Sequence, residues 1–145
     1  HVTAATSEWL LAGAYRVARE RADAALEAEI VDAYRTHMVD SVEAARAMAH
    51  AEVGRETAQV VLFHVNELAA DHLDAVLTDF EARGYQFVSL DDALADPVFE
   101  RDNHYDGPAG LSWLARIHDS EQPREPYWFG LEEGRLEDRF GELLD

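Results

Sequence analysis

The chain has 145 residues, 48% hydrophobic and 10% aromatic, enough for one folded domain with a real core and unlike a disordered segment. Thirty acidic residues face twelve basic ones, all arginine, and the resulting formal charge of −18 argues against nucleic acid or an anionic membrane as partner. There is no cysteine, so disulfides and thiolate metal sites are excluded, and no apolar run approaches the roughly 20 residues of a membrane span.

No charged region followed by an apolar one marks a leader after His1, and the opening HVTAATSEW reads as the continuation of something upstream. Thr6 or Ser7 is placed to cap a helix reaching about Arg21. Asp23 then caps a longer helix that Gly54 closes. Leu26, Ile30, Tyr34, Met38 and Val42 fall four apart along it, which puts them on one face, and alanine fills many other positions.

After Gly54 the period changes. Val60 to Phe63 is a continuous apolar run, as expected of a strand covered on both faces in a parallel sheet. A helix from about Asp71 to Arg83 stops at Gly84, and Tyr85 to Val88 reads as a second short strand. Ser89 caps a brief helix from Leu90 to Ala95, ended by Asp96 and Pro97. Strand, helix, strand, helix is a βα repeat, which implies neighbouring parallel strands; Val2 and Thr3 offer a third strand. Residues 97 to 110 form a loop punctuated by Gly107-Pro108 and Gly110, followed by a short helix from Leu111 to His118. From Asp119 onward, REPYWFG reads as irregular and LEEGRLEDRFGELL as a weak helix. Two or three parallel strands cannot cover their own edges, so the expected fold is part of a larger α/β barrel or sheet.

His64 ends the apolar run, where parallel α/β folds place their functional face. Two readings stand: a strand-end histidine bonded to a loop carbonyl, or a general acid or base working near neutral pH. The other histidines offer less. His37 and His50 lie thirteen apart on different helix faces and share no metal, and His64 and His72 have no standard ligand spacing. His104 has Asp102 and Asp106 close by, which is ordinary in an acidic loop and is also the one place where a loop metal site is imaginable. His118 ends a helix, where a cation favours the dipole. Neither HExxH nor GxSxG occurs, and Ser7 and Ser112 lack a nucleophile turn.

The stretch VVLFHVNELAADHLDAVLTDFEARGYQFVSLDDALADPVF resembles the carboxyl-terminal part of the polysaccharide deacetylases, the NodB-homology enzymes of carbohydrate esterase family four. The apolar strand ending Leu62-Phe63-His64 matches their last motif, and ARGYQFVSLDDALADP follows it as in the family. YDGPAGLSWLARIH is similar to the tail of one bacterial branch. TSEWL resembles the fourth motif, an acidic residue before tryptophan, with Glu8 where aspartate is usual and Trp9 after it. The resemblance spans residues 2 to 118, which gives a deacetylase portion over 1–118 and an irregular to weakly helical acidic tail over 119–145.

The resemblance implies a distorted (β/α) barrel, here with few parallel strands and a long helical insertion. It also implies removal of acetyl groups from a carbohydrate with the help of a divalent metal, zinc as the usual choice. His64 would be the general acid that protonates the leaving amine or alkoxide, and Glu8 would hold its ring and balance the imidazolium. Leu62 and Trp9 would line the apolar pocket for the acetyl methyl. The family's Thr-Phe-Asp-Asp motif, which carries the base and one metal ligand, is not in the sequence; nor are its His-x-x-x-His motif, which carries the other ligands, and its arginine motif. The expectation is therefore the acid side of a site whose amino-terminal half, with the metal ligands, lies elsewhere, so the isolated chain does not turn over substrate. Family habit favours an extracytoplasmic or cell-envelope location. The alternative is a non-catalytic helical interaction module, with Leu10 to Gly54 as a docking or homodimer surface.

Overall fold

The computed structural model describes residues 1–107, 112–119 and 128–144. Two long helices dominate: α1, Glu8–Glu20, and α2, Ala24–Val53. Asp23 starts α2 because its side chain accepts the Leu26 N–H at 3.0 Å, satisfying a donor that has no partner inside the helix. Gly54 stops it at φ 72°, a left-handed conformation that glycine adopts without a Cβ penalty. α3 spans Glu67–Ala82 and begins a turn before the expected Asp71, since Asn66 accepts the Ala69 N–H at 2.8 Å.

The remaining elements are short until α6. Ser89 caps α4, Leu90–Leu94, and Asp96 caps a 3-10 turn at Pro97–Glu100. α5 covers Trp113–Arg116, shorter than the expected span, whose first residue Leu111 lies outside the described residues, as do Pro108 to Gly110. α6 spans Trp128–Phe140 and a 3-10 turn follows at Gly141–Leu143. Trp128 to Gly130 are thus helical where an irregular stretch was expected, while residues 124–127 of that stretch lie outside the described residues.

The core forms where α1 packs on α2, with α3, α5 and α6 closing around them. The stripe read at four-residue spacing faces inward: Ile30, Tyr34 and Met38 are fully buried, Val42 nearly so, and Leu26 partly. Leu11 and Tyr15 of α1, Leu68 and Val76 of α3, Leu114 of α5 and Phe140 of α6 meet it. Each such side chain contributes about 1.5–3 kcal/mol relative to exposure. Ion pairs between exposed groups, such as Arg16 with Glu67 and Arg35 with Asp79, tie α3 to the two long helices and add little each.

The expected α/β architecture, part of a distorted (β/α) barrel, is not what the chain adopts. Among the described residues the structure is helical, with one isolated parallel bridge between Ala4 and Val61 and no sheet. Thr3 N–H donates to the Val60 carbonyl at 2.8 Å and Leu62 N–H to the Ala4 carbonyl at 3.1 Å, and the ladder goes no further. Tyr85 to Val88, expected as a second strand, joins no ladder. The segment expected as an insertion, α2, is instead the body of the fold. A helix satisfies its backbone groups within itself, whereas a strand needs a partner distant in sequence, and here only residues 3 and 4 supply one.

Candidate functional site

The short parallel contact determines where the chemistry lies. By pairing residues 3 and 4 with 60 to 62, it sets the start of α1 beside the residues that follow the Val60 run. Glu8 is the first residue of α1, near the positive end of the helix dipole, and is fully buried. His64 lies opposite, its side chain 44% exposed. Its Nδ1 is 3.0 Å from both carboxylate oxygens of Glu8, and its backbone N–H donates to Oε1 at 2.7 Å.

A buried carboxylate persists only when its lone pairs are occupied. Glu8 meets that condition through the His64 N–H, the His64 ring and the Thr6 hydroxyl, 2.7 Å from Oε2. The Thr6 oxygen is also 2.9 Å from the Leu62 carbonyl, and its single hydrogen serves one of the two acceptors at a time. Donation to Glu8 requires the hydrogen on Nδ1 of His64, which leaves Nε2 as the ring nitrogen without a hydrogen-bond partner among the described residues. A fixed tautomer with one nitrogen held and the other available is suited to proton transfer.

Behind the pair lies a layer that sequence reasoning did not connect with it. Ser7 N–H donates to Nε2 of His37 at 3.0 Å, which places the His37 hydrogen on Nδ1. Burial pushes the His37 imidazole down to about 4, against the opposing pull of the Glu8 charge, so it is neutral at pH 7. Tyr34, one turn earlier, is fully buried, and burial with the Glu8 charge raises its phenol to about 12. Its hydroxyl has no hydrogen-bond partner among the described residues. The available signal for His37 was its place beside Met38 on the buried stripe, a histidine where apolar side chains are the rule. Thr6, a cap candidate by sequence, instead sets its hydroxyl between Glu8 and the Leu62 carbonyl, and Ser7 holds the N-cap position of α1 without a side-chain capping bond.

Trp9 is 47% exposed and Leu62 39% exposed, so neither is a core residue. Leu62 lies two residues before His64 and Trp9 directly follows Glu8, so both flank the pair in sequence, with fully exposed Val65 beyond. No group of three or more histidine, aspartate or glutamate side chains is arranged to hold a metal among the described residues. Among the described residues there is thus no ligand set for the divalent ion that the resemblance implies, and the loop with Asp102, His104 and Asp106 forms no such group. No helix among the described residues is long and apolar enough to cross a membrane.

A second feature lies apart from the pair: an apolar cleft of about 480 Å³ between residues 57–63 and 85–90, floored by Val42, Leu77 and Phe80. Neither Glu8 nor His64 lines it. Comparison of the chain with protein-family models, with curated proteins and with solved structures found no match.

Proposed function

We infer that the chain carries the proton-donating histidine of a carbohydrate deacetylase, with His64 as general acid and Glu8 as the carboxylate that orients it. The observation that supports this reading is the pairing itself: a fully buried glutamate holds Nδ1 of a half-exposed histidine at 3.0 Å, leaving Nε2 accessible. In its imidazolium form the ring carries a second hydrogen on Nε2, which it delivers to a leaving amine or alkoxide as the bond to the acetyl carbon breaks, returning to the neutral Nδ1–H tautomer. Glu8 balances the imidazolium before transfer, and exposed Trp9 and Leu62 give the acetyl methyl an apolar surface. The base and the metal ligands belong, in this reading, to a separate amino-terminal segment.

The isolated chain is expected to leave an acetylated chitooligosaccharide and an acetylated aryl ester intact in the presence of zinc. Turnover that His64→Ala abolishes would overturn that expectation. Once the chain is joined to a segment bearing the base and ligand motifs, His64→Ala is expected to lower the rate about 10²- to 10⁴-fold. An unchanged rate rejects His64 as the acid.

A second reading rests on a different observation, the predominance of α1 and α2 in the fold: a non-catalytic helical interaction module. Light scattering and zinc titration separate the two. A stable dimer without zinc affinity favours the module, whereas a monomer that gains activity on supply of the missing segment favours the hydrolase.

A further inference from the structure

We propose that the apolar cleft between residues 57–63 and 85–90 receives an extended polypeptide strand whose apolar residues alternate and whose ends carry arginine or lysine. The first argument is backbone direction. In an extended chain the N–H and C=O of successive residues point to opposite sides. Val60 directs its groups to Thr3 and Ala4, Leu62 to Ala4 and the Thr6 hydroxyl, and the His64 N–H turns the same way, to Glu8. Val61 and Phe63 therefore direct theirs to the other side, and neither has a backbone partner among the described residues. Across the cleft, the backbone groups of Gln86, Phe87 and Val88 are likewise without partners among the described residues.

A cleft with unpaired backbone groups on both walls matches a peptide backbone, which offers donors and acceptors in alternation along its length. A lipid chain has neither, and the charge of −18 opposes an anionic headgroup. The side chains call for apolar residues on the occupant: Phe87 is 55%, Val88 61% and Leu90 60% exposed, an unusual share of open apolar surface for one short segment.

Size and charge specify the occupant further. At 3.3 Å rise, 4.8 Å between strands and 10 Å between layers, a strand residue fills about 160 Å³, so the cleft admits a core of about three residues. Asp91 and Asp92 are exposed directly after Leu90 of the cleft wall, and their charges favour a cationic flank on the occupant. A second copy of this chain is disfavoured as occupant because each copy carries −18. The cleft excludes Glu8 and His64, so this proposal and the acid role of His64 stand or fall separately.

The test uses the full chain and a library of blocked heptapeptides, Arg-Xaa-Thr-Xaa-Thr-Xaa-Arg, with Xaa drawn from Val, Ile, Leu and Phe. Library members are expected to bind and to slow amide exchange at Val61, Phe63 and one of the two facing-wall amides, Phe87 or Val88, by about tenfold or more. N-methylation of the central Xaa residue, which removes a backbone donor, is expected to weaken binding about tenfold, as is exchange of both arginines for glutamate. Phe87→Glu changes an exposed position, leaves the fold intact and is expected to abolish binding. The proposal is overturned if no member slows these amides at millimolar concentration. It is equally overturned if the N-methylated or glutamate-flanked peptides bind as well as the parent. Protection of the same amides in the free chain that grows with its own concentration would assign the cleft to a second copy, against the proposal.

Discussion

Replacing Glu8 with alanine is expected to destabilise the protein by about 3 kcal/mol, the sum of an unmet buried donor and an emptied buried volume. The carboxylate is fully buried and accepts from the His64 backbone, the His64 ring and Thr6, so its removal strips the partner from both His64 donors and leaves Thr6 only the Leu62 carbonyl. It also frees the approach of residues 62–64 to the start of α1, because the bonds through Glu8 extend the contact made at Ala4 and Val61. Glu8→Gln separates the two functions of the side chain. The amide oxygen still accepts the His64 N–H, so most of the stability remains, but the amide NH₂ faces Nδ1 and drives its hydrogen to Nε2. Urea unfolding reads the first effect and nitrogen NMR of the His64 tautomer the second. A Glu8→Ala midpoint equal to that of the parent would show that the buried pair does not hold the fold together. An unchanged tautomer in Glu8→Gln would show that Glu8 does not orient the ring.

Acidification is expected to remove about 3 kcal/mol of stability between pH 6.5 and 4 through His37 alone. In the unfolded chain this imidazole binds a proton near its ordinary 6.5, while burial holds the folded group down to about 4, with the Glu8 charge opposing in part. Between those values the unfolded state carries the extra proton. Stability is therefore complete above pH 6.5, falls as the pH drops, and has lost this contribution by about 4. Asp96 acts in a separate window. The Arg55 guanidinium at 2.6 Å, aided by the N–H groups of Val98 and Ala58, lowers its carboxyl to about 2, so its contribution holds above its ordinary 3.8 and is lost only as pH falls towards 2. In His37→Gln, where the amide oxygen can still accept the Ser7 N–H, the slope between pH 6.5 and 4 should flatten. Urea midpoints measured at several pH values decide this, and a slope unchanged in the variant would place the acid sensitivity elsewhere.

The helices and their ends were largely legible in the amino-acid order because their causes are local. Asp23 and Ser89 cap where they were expected to, Gly54 adopts the left-handed turn, and the four-residue stripe of α2 is the buried one. α3 begins a turn before Asp71 because Asn66 accepts the Ala69 N–H, a cap that lies directly behind the apolar run and its strand-like composition. The apolar run was the misleading signal. Val60 to Phe63 has strand composition, but composition does not supply a partner, and the partner found extends over only a few residues.

The candidate site divides in the same way. Glu8 and His64 were linked through resemblance alone, since no periodicity relates residues 56 apart. Their separation of 3.0 Å is a product of the fold. By itself the sequence determined what neighbouring residues decide: helix spans, caps, the inward stripe, the acidic surface, and which histidine follows the apolar run. Only the tertiary structure decided that the described residues are helical rather than sheet-built, that Glu8 loses all contact with water, that His37 lies neutral behind it, and that two walls of a cleft keep backbone groups unpaired among the described residues. Those outcomes depend on contacts between segments tens of residues apart, whose free energy arises from desolvation and backbone pairing that no local pattern encodes.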